Sequence, residues 1–304
     1  MRLTVTVAMV SAALMTACSG GATSPTSPTP SAATATTTTP AATPPASTAP
    51  TAPTTPANFG VFTFSFDAGT SVADQALIGE ATQVATDYFS AAFGRTITTP
   101  TQVRGVLSAA GCSQGGSAAF TGAGSVTFCL ANAGWQQPGP VAKRKIVVHE
   151  LYHVLQFERR WLGNAATAGP DWIIEGTAEL VGYKGVDSKG WLSYTTAQGC
   201  QVKEVADFGL RNPPGLPNLS AVESHQAWQT TTGPLYALAM TGMDQLIAAP
   251  GMGALTTYMD AISGGATFQS AFQQAFGMSI AAFYDQFPAY RAARTVPPAY
   301  LCGV

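Results

Sequence analysis

The sequence predicts an α+β fold: a small strand-containing N-terminal half with an edge strand, followed by a mostly helical half. Three observations carry this. Val61-Phe62-Thr63-Phe64-Ser65-Phe66 alternates with the period of a strand. After Pro140 the apolar residues recur with the period of a helix in one segment after another. The 46% apolar content of 304 residues is enough to bury a sizeable core.

The elements follow in chain order. Ser71–Phe93 reads as a helix with Val72, Leu77, Ile78, Val84, Tyr88 and Phe89 apolar, ended by Gly94. Arg95–Leu107 and Ser125–Ala131 are strand-like, with glycine-rich turns between them. The helical half comprises Val141–Leu162, Trp172–Tyr183, Leu235–Ala248, Met252–Ile262, Thr267–Phe276 and Ile280–Ala293.

Ahead of these elements the composition is different. Residues 1–18 hold one cation, Arg2, then the apolar stretch Leu3–Leu14 and Met15-Thr16-Ala17-Cys18, which is the pattern of an export signal rather than of a membrane span. The small residues before Cys18 resemble a bacterial lipobox, which implies a lipid anchor on Cys18 and an exported protein facing the cell surface or periplasm. Residues 19–57 contain 13 Thr and 9 Pro and no charge, and are expected to form a disordered stalk. Residues 58–304 are expected to be the folded domain. Its four cysteines suggest two disulfides with three possible connectivities, of which Cys112–Cys129 with Cys200–Cys302 is the one expected here. With 14 Lys and Arg against 16 Asp and Glu, the chain lacks the cations for a nucleic-acid surface.

The chemistry is concentrated in Lys145-Ile146-Val147-Val148-His149-Glu150-Leu151-Tyr152-His153. On a helix, His149 and His153 lie one turn apart on one face, where both imidazoles reach one metal ion. Glu150, next to them, is the candidate general base for a metal-activated water. Two of only three histidines in the chain are used in this one motif. A catalytic zinc takes three protein ligands, and the third candidate, Glu175, lies 22 residues past His153 in Asp171-Trp172-Ile173-Ile174-Glu175-Gly176-Thr177-Ala178-Glu179. Asp171 reads as the cap of this second helix. Glu179, one turn beyond Glu175, is placed to accept the outer N–H of a zinc-bound histidine.

H-E-x-x-H followed by a W-x-x-E-G-x-A-E helix resembles the gluzincin metallopeptidases, the thermolysin-like and M1-aminopeptidase-like group. That resemblance implies a zincin-like fold, Zn²⁺ on His149, His153 and Glu175, Glu150 as catalytic base and a peptide or protein substrate. It also implies that Tyr236, in Gly233-Pro234-Leu235-Tyr236 and 61 residues past Glu175, steadies the oxyanion. His225 is the second candidate for that role. The G-x-M-E-N motif by which M1 aminopeptidases hold a free amine is missing, so endopeptidase action is favoured. Ser125–Ala131 with Asn132-Ala133-Gly134-Trp135 loosely resembles the substrate-pairing edge strand of thermolysin-like enzymes. The rival expectations are a non-catalytic, surface-tethered binding module and a metal hydrolase acting on a non-peptide bond.

Overall fold

The computed structural model describes residues 56–112, 117–159 and 169–296. The expected leader with Cys18, residues 19–55 of the expected stalk, Leu162 and Cys302 lie outside the described residues, and with them the expected Cys200–Cys302 pairing. Cys200 itself is disulfide-bonded. Cys112 and Cys129 form the other expected bridge, with Cα atoms 5.6 Å apart.

The fold is α+β. Its sheet has four strands, β1 (Phe62–Phe66), β2 (Thr101–Val106), β3 (Ala119–Gly122) and β4 (Ser125–Cys129), in the order β1-β2-β4-β3. β1 and β2 pair in parallel, joined by the long helix α1 (Val72–Phe93), as a parallel connection requires. β2 and β4 are also parallel, whereas β3 pairs antiparallel to β4 with Ala119 opposite Phe128 and Thr121 opposite Val126. The edge strand on the later side of the sheet is therefore β3. Ser125–Ala131, expected at the edge, is interior between β2 and β3 and ends at Cys129, where the Asn132 N–H turns back to the Cys129 carbonyl. The Asn132–Trp135 stretch that followed it forms a short helix, α2 (Ala133–Gln136), with Trp135 buried.

The expected strand Arg95–Leu107 shortens to Thr101–Val106. The Thr98 and Thr99 N–H groups are taken by the Glu158 carboxylate, and Pro100 has none to give.

The helical half starts with α3 (Pro140–Glu158), which has proline in its first turn, and α4 (Asp171–Asp187). α5 (Tyr194–Arg211), α6 (His225–Thr230), α7 (Leu235–Ile247), α8 (Gly253–Ser263), α9 (Phe268–Phe276) and α10 (Ile280–Ala292) follow. One apolar cluster runs from Phe62 on β1 to Phe287 on α10, so sheet and helices share a core. α3 is buried at every position from Val147 to Gln156, and α4 at every position from Trp172 to Gly182. Such all-round burial marks the two as central helices. Glycine brings them together: a Cβ on Gly182 would sit 3.0 Å from the Lys145 carbonyl, and one on Gly185 would sit 2.8 Å from Val148 Cγ1. Among the described residues no helix is long and apolar enough to cross a membrane.

Candidate metal centre

α3 and α4 face each other across the residues that the sequence singled out. His149 and His153 on α3 and Glu175 on α4 are buried, and one ligand atom from each lies within 4.8 Å of the others. The two Nε2 atoms are 3.0 Å apart, and Glu175 Oε2 is 3.4 Å from each.

The outer faces of the rings explain this convergence. His149 Nδ1–H donates to Glu179 Oε2 at 3.0 Å, and His153 Nδ1–H donates to Gln156 Oε1 at 2.6 Å. A carboxylate and an amide oxygen only accept, so each ring is protonated at Nδ1 and turns Nε2 inward, the nitrogen that binds a metal once it carries no proton of its own. Gln156 is itself fixed by donating to the Ile174 carbonyl and the Thr177 hydroxyl on α4.

Two nitrogens and a carboxylate oxygen form the donor set of a catalytic zinc site. Ligands at about 2.0–2.1 Å from a shared centre stand roughly 3.3 Å apart in tetrahedral geometry, close to the separations here. Glu175 Oε2 is buried and accepts no hydrogen bond. A buried polar atom in that condition is costly, and coordination to a cation removes the cost. The residues fit a metal ion.

Electrostatics point the same way. Burial works against a charged His149, but the Glu175 and Glu179 carboxylates beside the ring outweigh it and push it up to about 9. Burial alone would raise Glu175 and Glu179. The two imidazoles beside Glu175, and Lys145 with His149 beside Glu179, instead hold each down at about 2. The pocket is built to retain positive charge.

Glu150 is buried beside the cluster, and its Oε2 accepts a 2.5 Å hydrogen bond from Thr121 Oγ1 on the edge strand. Tyr236, on the first turn of α7, is half-buried with its ring centroid 6.0 Å from that of His149 and 5.6 Å from that of Trp228. α7 comes this close because Gly176 has no side chain: a Cβ there would lie 2.8 Å from the Ala239 backbone. His225 is apart from this group. It opens α6, is exposed, and donates from Nδ1 to Asp171 Oδ2 at 2.7 Å. Asp171 is thus the first helical residue of α4, with Pro170 at the cap position.

Three supporting residues were not singled out from the sequence. Thr121 and Gln156 left no signal there. Lys145 did, because it precedes His149 by one turn on the same helix face, so whatever lies beside His149 also lies beside Lys145.

No family model and no curated protein matches the sequence. Among solved structures the chain is similar to an M1 zinc metallopeptidase from Deinococcus radiodurans. A point mutant of that protein gives a TM-score of 0.43 and the unmutated form 0.41, each at 15% identity over 78% of this chain and 48% of the other. The chain spans about half the length of these structures.

Proposed function

We propose that the protein is a zinc-dependent hydrolase of peptide bonds, of the gluzincin type, with endopeptidase action favoured over aminopeptidase action. The observation that carries this reading is the buried trio of His149 Nε2, His153 Nε2 and Glu175 Oε2, with Glu150 beside it. A zinc ion held by His149, His153 and Glu175 supplies Lewis acidity, making a water more acidic and a carbonyl more electrophilic.

The remaining work belongs to side chains. Glu150 takes a proton from the attacking water as oxygen bonds to the carbonyl carbon. It returns that proton to the amide nitrogen as the C–N bond breaks. Thr121 occupies Glu150 Oε2, which leaves Oε1 to carry the proton. Tyr236 donates its hydroxyl hydrogen toward the oxyanion. Glu179 and Gln156 fix the tautomers that keep both Nε2 atoms available. The leader ending at Cys18 supports an exported lipoprotein held by a membrane anchor, with peptides or proteins outside the cell membrane as substrates.

Glu150→Gln is the deciding variant. It keeps shape and the acceptor for Thr121 but cannot take a proton. It should bind zinc as the parent does and lose about 10²–10⁴-fold in turnover on a peptide library. Parental turnover in that variant would overturn the assignment.

A further inference from the structure

Lys145 takes no part in the steps above, yet it is built into the site. Its Nζ donates to both oxygens of Glu179, at 2.8 and 2.9 Å, with the two side chains only 14% and 5% exposed. Glu179 Oε2 is the same atom that accepts from His149 Nδ1. The lysine stem runs through a niche in α4 that exists because residue 182 is glycine: a Cβ there would meet Lys145 Cγ and Cδ at 3.1 Å. The Tyr183 ring lies 5.2 Å from Nζ.

A charge in so enclosed a place is expensive unless it is matched. The buried acids here are Glu150, Glu175 and Glu179, while Glu204 acts on Lys145 from an exposed position, where water screens it. One ammonium and one divalent ion balance three carboxylates; without the ammonium, a negative charge is left over.

We propose that Lys145 is a positioning residue and a charge counterweight for the metal centre. Through its two hydrogen bonds to Glu179 it cancels that carboxylate's charge, so that the metal faces two uncompensated carboxylates rather than three. An uncancelled third carboxylate holds a cation more tightly but, acting through His149, makes that cation a weaker Lewis acid. Lys145 therefore trades metal affinity for turnover. This rests on the zinc reading above.

The test is a double-mutant cycle on the full chain, with zinc affinity measured by chelator competition and kcat on a cleaved peptide. Glu179→Gln alone leaves Lys145 beside the metal without its hydrogen-bonded carboxylate and should weaken zinc about 10–100-fold. Adding Lys145→Met to it should restore roughly tenfold of that loss, by removing that positive charge. Lys145→Met alone should hold zinc at least as tightly as the parent while kcat falls by about tenfold or more.

The proposal is overturned if Lys145→Met weakens zinc by the same factor in both backgrounds, which is the behaviour of a packing residue. If Lys145→Met alone does not fold, comparing Glu179→Gln with the double variant decides the matter. Failure of the underlying reading looks different: the parent protein itself would take up no zinc.

Discussion

Gly176→Ala sets two known effects against each other. Alanine is the better helix former, worth up to about 1 kcal/mol over glycine inside a helix. Against that, the added Cβ falls 2.8 Å from both the carbonyl carbon and oxygen of Ala239 and 3.0 Å from its Cβ, where ordinary contact begins at 3.4 Å. Two of these three atoms are backbone and cannot rotate away, so α7 as a whole must shift from α4. Overpacking of this kind costs about 1–3 kcal/mol. The cost exceeds the gain, and the variant should be about 1–2 kcal/mol less stable in urea unfolding at unchanged m-value. Gly253→Ala is the matched control, because nothing lies within 4 Å of a Cβ at that helix position; it should stay within about 0.5 kcal/mol of the parent. Since α7 also carries Tyr236, turnover of the Gly176 variant should fall more than its zinc affinity. A Gly176→Ala protein as stable as the parent would refute the claim that backbone contact sets the α4–α7 spacing.

Tyr236→Phe keeps the ring packed on Trp228 and removes only the hydroxyl; it should lower kcat by about 10–10³-fold and leave zinc binding unchanged, as read by metal analysis beside steady-state kinetics. Stripping the metal with a chelator should lower the unfolding temperature, and zinc at about 1,000 times its Kd should restore about 4 kcal/mol; a temperature unmoved by zinc would refute a metal held by the folded state alone. Asp74 supplies an acid-limb prediction. Burial would raise its carboxyl, but the hydrogen bonds from Ser71 and Trp135, with Lys143 beside it, prevail and lower it. A lowered carboxyl contributes stability above its unfolded value of about 3.9 and loses it as pH falls through the folded value. Asp74→Asn should therefore be less stable near neutrality and show a shallower loss of stability below about pH 4, measured by urea unfolding across pH.

The sequence made the candidate ligand trio legible because its spacings are properties of single helices. His149 and His153 meet through one turn of α3, and Glu175 and Glu179 share a face of α4 for the same reason. What escaped depends on contacts between distant segments or, for α5, on an apolar content too low to mark a helix. Thr121 reaches Glu150 only because a four-residue strand lies over α3. α5 was missed since its buried side is narrow and partly polar, with Gln201 among Ala197, Val202 and Val205. The sheet edge was misassigned for a related reason: β4 is more apolar and more regular than β3, yet strand order is decided by pairing, which no local pattern reports.

The Cys112–Cys129 bridge encloses all of β3, from Ala119 to Gly122, within a covalent ring. The strand that steadies Glu150 is thus tethered at both ends of a closed circuit, one anchor at the turn after β2 and the other on β4. However far the β3–β4 ladder frays, Thr121 can stray from Glu150 only by the slack of that circuit. Closing a loop of this size also denies the unfolded chain about 3 kcal/mol of freedom. The edge of the sheet, ordinarily the least secure part of such a structure, is here held within a covalent ring.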